Sequence, residues 1–211
     1  MIGASRSDRV VTSLGEVLSS VAAGHPPAAD GGVTVVPAPD TRSVGVFAFT
    51  AHHVVSADVD RSWVEGLLPP GDLGAPMNPS FLTALCERTG RSVGNIDVVL
   101  VAHGTGTPTG TLTPFTGEHP RALVHQRTGV RKWTVEHGFA LLGRGVAGRY
   151  EVAVEVGAPG RGIGRRLFAA VLGEVPPAVP VWAQVTPGNV ASLRAVLAAG
   201  YRPVGGEALL V

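Results

Sequence analysis

EVAVEVGAPGRGIGRRLFAAVL, Glu151 to Leu172, decides the reading of this chain, together with VPVWAQVTPGNVASLRAVLAAGYRPVG from Val179 to Gly205. The first stretch alternates apolar and polar residues, the period of a strand. It runs into Gly160-Arg161-Gly162-Ile163-Gly164-Arg165-Arg166, and an apolar stripe at helical spacing opens there. Glycines let backbone approach a ligand closely. A helix N-terminus offers unpaired N–H groups carrying partial positive charge, so the turn is suited to an anion such as pyrophosphate. Arg161, Arg165 and Arg166 add fixed cations. A strand at Val181 to Val185, a helix opened by Asn189 and a final strand follow.

These elements, in this order, resemble the Gcn5-related N-acetyltransferase (GNAT) superfamily. Val152 to Val156 is similar to the family's fourth strand, and Gly160 to Arg166 to its Arg/Gln-x-x-Gly-x-Gly/Ala loop. Asn189, Ser192, Leu193 and Gly200-Tyr201 match its Asn-x-x-Ser/Ala…Gly-Phe/Tyr helix. The motifs cover Tyr150 to Val211 and, more loosely, two strands before them. The resemblance implies an α/β fold with a mixed sheet and acetyl-CoA as co-substrate. Arg161, Gly162, Ile163, Gly164 and Arg165 would hold the pyrophosphate. Val154 and Val156, with Asn189 and Ser192, would meet the pantetheine arm. It also implies direct attack by an amine on the thioester in a ternary complex.

The sequence departs from the family pattern in places. Val156 to Gly162 is shorter than the usual loop, so either Pro159 or Arg161 stands where Arg or Gln is customary. Many members place a tyrosine seven residues after the helix Asn; here that position is Val196, which cannot protonate a thiolate. Tyr201 is then the fallback proton donor. A dinucleotide site would want Gly-x-Gly-x-x-Gly and an acidic residue about 20 positions on. The spacing here is Gly160-x-Gly162-x-Gly164, and the next strand ends Gln184-Val185-Thr186-Pro187, without a carboxylate.

A base must reach the amine directly or through water. Glu151 and Glu155 are four apart on a strand and share a face, with Glu155 nearer the turn and the first choice. His52 and His53 occupy one strand on opposite faces, and His103 follows directly after another. His119, His125 and His137 read as turn or surface residues, and no histidine pair has metal-ligand spacing with a supporting carboxylate. Asn189 also reads as a helix cap, and Trp133 and Trp182 as core.

The remaining chain is less regular. Arg9 to Ala23 carries a helical stripe, and Val33–Val36, Val44–Phe49 and His53–Val59 read as strands. Trp63–Leu68 and a segment opened by Asn78-Pro79 and stopped by Gly90 read as helices, with Asp60 as a cap. Asn95 to Ala102 is a buried strand. Residues 103–117, rich in Gly, Thr and Pro, read as a mobile loop: a linker, or a lid with Phe115 or His103 reaching inward. The chain therefore divides into a helix and linker at 1–29, a divergent α/β region at 30–117 and a GNAT-like domain at 118–211. The middle region reads either as a degenerate copy of the last or as an extension of separate origin.

With 211 residues, 45% of them hydrophobic and 16% charged, the chain can bury a substantial core. A net charge of +1 argues against nucleic acid or a membrane surface as partner. No apolar run approaches about 18 residues, so a cytoplasmic location is expected. Lys132 is the only lysine, and the abundance of Arg, Gly, Pro and Ala suggests a GC-rich bacterial gene. Cys86 is the sole cysteine, which excludes an intramolecular disulfide and a thiolate metal cluster. The amine acceptor is not legible; a homodimer fits the resemblance.

Overall fold

The computed structural model describes residues 13–123, 127–158 and 160–211. In chain order the elements are α1 (Leu14–Ala22), β1 (Val33–Val36), β2 (Gly45–Phe49), β3 (His52–Ser56), α2 (Arg61–Leu67), α3 (Pro79–Thr89), β4 (Val93–His103) and the short β5 (Thr113–Pro114). Then come α4 (Pro120–Leu123), β6 (Thr128–Val135), β7 (Gly138–Arg144), β8 (Tyr150–Val156), α5 (Ile163–Gly173), β9 (Pro180–Val185), α6 (Val190–Ala198) and β10 (Arg202–Leu210). Val10, Val11, His125 and Pro159 lie outside the described residues.

The ten strands among the described residues form one mixed sheet in the order β1-β3-β2-β10-β4-β9-β8-β7-β6-β5. The last strand of the chain, β10, sits between β2 and β4 and is antiparallel to both. β4 in turn is antiparallel to β9. The boundary expected at 117/118 therefore falls within one sheet: β4 of the first half lies between β10 and β9 of the second, and β10 of the second between β2 and β4 of the first. The echo between halves is also incomplete. α2 and α3 follow one another with no strand between them, whereas β9 separates α5 from α6.

One face of the sheet carries two apolar layers. Leu100, Ala140, Leu142 and Val152 pack against Ile163, Leu167, Phe168 and Val171 of α5. Those α5 residues recur at helical spacing, which is why the segment coils rather than extends. Val46, Val55, Ala208 and Leu210 pack against Val64 of α2 and Phe81, Leu82 and Leu85 of α3. On the opposite face, Phe47, Val54, Val99, Val101 and Trp182 receive Leu14, Val17, Leu18 and Val21 of α1. Each such side chain contributes about 1.5–3 kcal/mol on burial, so the β4–β10 exchange is held by core on both faces.

Local chemistry explains the helix ends. Ser13 Oγ accepts from Glu16 N–H at the start of α1, and Gly90, at φ 67°, ends α3 in the left-handed conformation. Asp60 precedes α2, but its side chain makes no capping bond. The start of the 103–117 segment is anchored rather than loose. Thr105 N–H donates to Leu172 O and Gly106 N–H to Val175 O, satisfying carbonyls at the end of α5. Among the described residues no helix is long and apolar enough to cross a membrane.

Candidate functional site

The site begins where the sheet parts. β8 and β9 run parallel, but their pairing stops after Tyr150↔Val181 and Glu151↔Trp182. From Val152 onward, the edge of β8 that faces β9 has no strand beside it among the described residues. A cavity of about 710 Å³ opens in the gap. Val152, Ala153 and Val154 wall it from β8, Gln184 and Val185 from β9, and Asn189 and Ser192 from α6. It continues onto the opposite sheet face, past Arg121, Arg127, Asp97 and Arg42.

The glycine turn lies just beyond these walls. Gly160 (φ 86°) and Gly162 (φ 69°) occupy the left-handed region that disfavours other residues. Gly162 caps α5 with no side-chain bond to its first N–H groups. Arg161, Arg165 and Arg166 are exposed around it. Gly164 has another reason to be glycine: a Cβ there would stand 3.3 Å from Ala195 Cβ, so it permits the close approach of α5 and α6. Asn189 does cap α6, its Oδ1 accepting from Ser192 N–H at 3.1 Å, and it also walls the cavity.

The apex of the split is held by a buried ionic network. Glu151 is 2% exposed. Its carboxylate accepts from Arg127 Nε (2.9 Å), Arg149 Nε (3.0 Å), Gln184 Nε2 (2.8 Å) and Val146 N–H (3.1 Å). Arg149 also donates to both oxygens of Glu207 on β10, at 2.8 and 2.9 Å, and lies over the Trp182 ring. Burial opposes the charge on Glu151, but Arg149, Arg127 and the Val146 N–H hold its carboxyl below the usual range. Burial pushes the Glu207 carboxyl up, against the pull of Arg149. Glu151, read from sequence as a base, is thus placed as a fourfold acceptor at the branch point of the sheet. Gly145 packs directly on this carboxylate. Gly145→Ala would drive a Cβ into it, and is expected to lower the melting temperature by several degrees; thermal melts followed by circular dichroism check this.

Glu155 differs. It is exposed, opposite Phe139 in the β7–β8 register, and its Oε2 accepts from Arg121 Nε at 3.3 Å. Arg121 walls the cavity, whereas Glu155 stands outside its walls. Phe115 meets Phe139 edge-on (5.9 Å between centroids) and His119 stacks on the same ring at 3.6 Å. His119 is therefore tied to the β7 surface, which sequence reading missed because the contact joins residues 20 positions apart. Neither Phe115 nor His103 walls the cavity.

Two further expectations change, those on Tyr201 and on the His52–His53 pair. Tyr201 is buried, its hydroxyl directed at Phe168 O and its pKa raised by that burial, so it is no reserve proton donor. Val196 is fully buried in the core. His52 and His53 are both largely buried, and burial lowers the pKa of His53. Among the described residues, no group of three or more His, Cys, Asp or Glu is placed to hold a metal ion.

No family model matches the chain, and no curated protein does. Among solved structures, a GCN5-related N-acetyltransferase from Kribbella flavida is similar at 18% identity, with a TM-score of 0.41. The match covers 63% of this chain and 63% of that one. The functional reading therefore rests on the cleft itself.

Proposed function

We propose that this chain is a GNAT-type acyltransferase that moves an acetyl group from acetyl-CoA to an amine by direct attack. The observation that carries the reading is the interrupted β8–β9 pairing, with a glycine-capped helix N-terminus beyond its open end. The unpaired β8 edge at Val152–Val156 offers backbone groups to the amide-rich pantetheine arm and an N–H to polarise the thioester carbonyl. The first N–H groups of α5, with Arg161 and Arg165, suit a pyrophosphate. Asn189 and Ser192 border the path between them. Glu155 is the proposed base, acting at the cavity rim beside Arg121.

Isothermal titration with acetyl-CoA tests this. Wild-type protein is expected to bind in the micromolar range, and the Arg161→Ala, Arg165→Ala double variant to lose at least tenfold in affinity, about 1.4 kcal/mol. No binding by the wild type ends the acetyltransferase reading. A second reading, a non-catalytic acyl-CoA-binding module on the same scaffold, draws on the engagement of Glu151 and the burial of Val196. It predicts the same binding but no turnover with any amine.

A further inference from the structure

Far from the cleft, at the outer edge of the sheet, Asp30, His52 and Thr34 form a hydrogen-bonded chain. His52 Nδ1 lies 2.7 Å from Asp30 Oδ1, and His52 Nε2 lies 2.9 Å from Thr34 Oγ1. A carboxylate only accepts hydrogen bonds, so Nδ1 carries a proton. Ionised Asp30 is favoured by this contact, which lowers its pKa together with the Gly32 N–H. In neutral imidazole Nε2 is then the bare acceptor, and the Thr34 hydroxyl must be the donor. That polarity is the one a nucleophile, base and orienting acid require.

The surroundings complete the arrangement. The imidazole is largely dry, with a side chain 10% exposed, while Asp30 is 55% exposed and fixed by accepting from Gly32 N–H at 2.7 Å. Thr34 is half-buried on β1, the outermost strand. His53 N–H donates to Gly32 O and Ala57 N–H to Val36 O. In a parallel ladder alternate residues turn their backbone to the partner, so Gly32, Thr34 and Val36 face β3. The N–H of Val35, the residue after the hydroxyl, faces outward, with no strand beside it among the described residues. It is available to a developing oxyanion.

We infer that Asp30, His52 and Thr34 form a second reactive centre, a hydroxyl nucleophile that takes acyl groups from small activated esters. Thr34 Oγ1 attacks the ester carbonyl while His52 Nε2 takes its proton. The ester C–O bond breaks, the departing alkoxide receives that proton, and acyl-threonine remains. Water, deprotonated by His52, then releases the carboxylic acid and restores the hydroxyl. No redox partner or metal enters the balance.

The test is hydrolysis of p-nitrophenyl acetate by the full chain, with peptide mass mapping after acid quench. The wild type is expected to give a burst of nitrophenol and one acetyl group on the peptide containing Thr34. Thr34→Val, nearly isosteric, removes both; Asp30→Asn, which loosens the imidazole orientation at an exposed position, slows the burst by about a hundredfold. Circular dichroism melts confirm that both variants fold. Hydrolysis unchanged in Thr34→Val, an acetyl group on another residue, or a rate no greater than that of free histidine overturns the proposal.

Discussion

Glu151→Ala is expected to destabilise the protein by about 3–5 kcal/mol, the cost of leaving buried charge without its partner. The geometry explains the size. Arg127 and Arg149 have side chains 4% exposed, and each has an Nη1 with no partner among the described residues; Arg149 keeps Glu207, but Arg127 loses its ion pair. Removing the carboxylate also orphans the Val146 N–H and Gln184 Nε2. For a chain of this size the loss corresponds to a melting temperature lower by about 10 °C. The sign of the pH dependence follows from the carboxyl's folded pKa, which lies below its unfolded value. Its contribution is complete above about pH 5 and disappears as pH falls through the folded pKa. Wild type and variant should therefore converge in acid and differ most near neutrality. Equal melting curves at neutral pH would show that the network adds nothing.

What sequence reveals here follows the range of the interactions. Val33–Val36 is a run of β-branched residues, and the strand covers those residues. Asn78-Pro79 and Gly90 bound α3 through backbone chemistry that acts within one turn. The turn at Gly160–Gly162 and the Asn189 cap are equally local, which is why the turn and the cap were legible. The exchange of β4 and β10 between halves was not, because both are simply apolar strands and nothing in either names its neighbours. Glu151 shows the same limit. Alternation places it on a face with Glu155, but only the tertiary fold brings Arg127 from 24 positions earlier and couples Arg149 to Glu207, 58 positions later. The Asp30–His52–Thr34 chain likewise depends on the parallel β1–β3 pairing, which no periodicity encodes.

Glu155→Gln is expected to lower kcat for the proposed transfer by about 10²–10⁴-fold while leaving acetyl-CoA affinity at the wild-type level. The substitution keeps shape and hydrogen-bonding reach but cannot accept a proton from the attacking amine. Its structural cost is small. Glu155 is exposed, and its pair with Arg121, at 3.3 Å with side chains 53% and 42% exposed, is worth at most about 1 kcal/mol. A fall in turnover therefore cannot be traced to unfolding, and equal melting temperatures for variant and wild type document that. Position on β8 supplies the rest. Glu155 lies one residue beyond Val154, on the face away from α5, where it is exposed to an amine approaching from that side. Glu151, four residues back, is buried and held by two arginines. Loss of acetyl-CoA affinity in Glu155→Gln would make the residue part of the cofactor wall instead. Undiminished turnover would move the base elsewhere, with a water-relayed carboxylate at Asp97 on the cavity wall the next to replace.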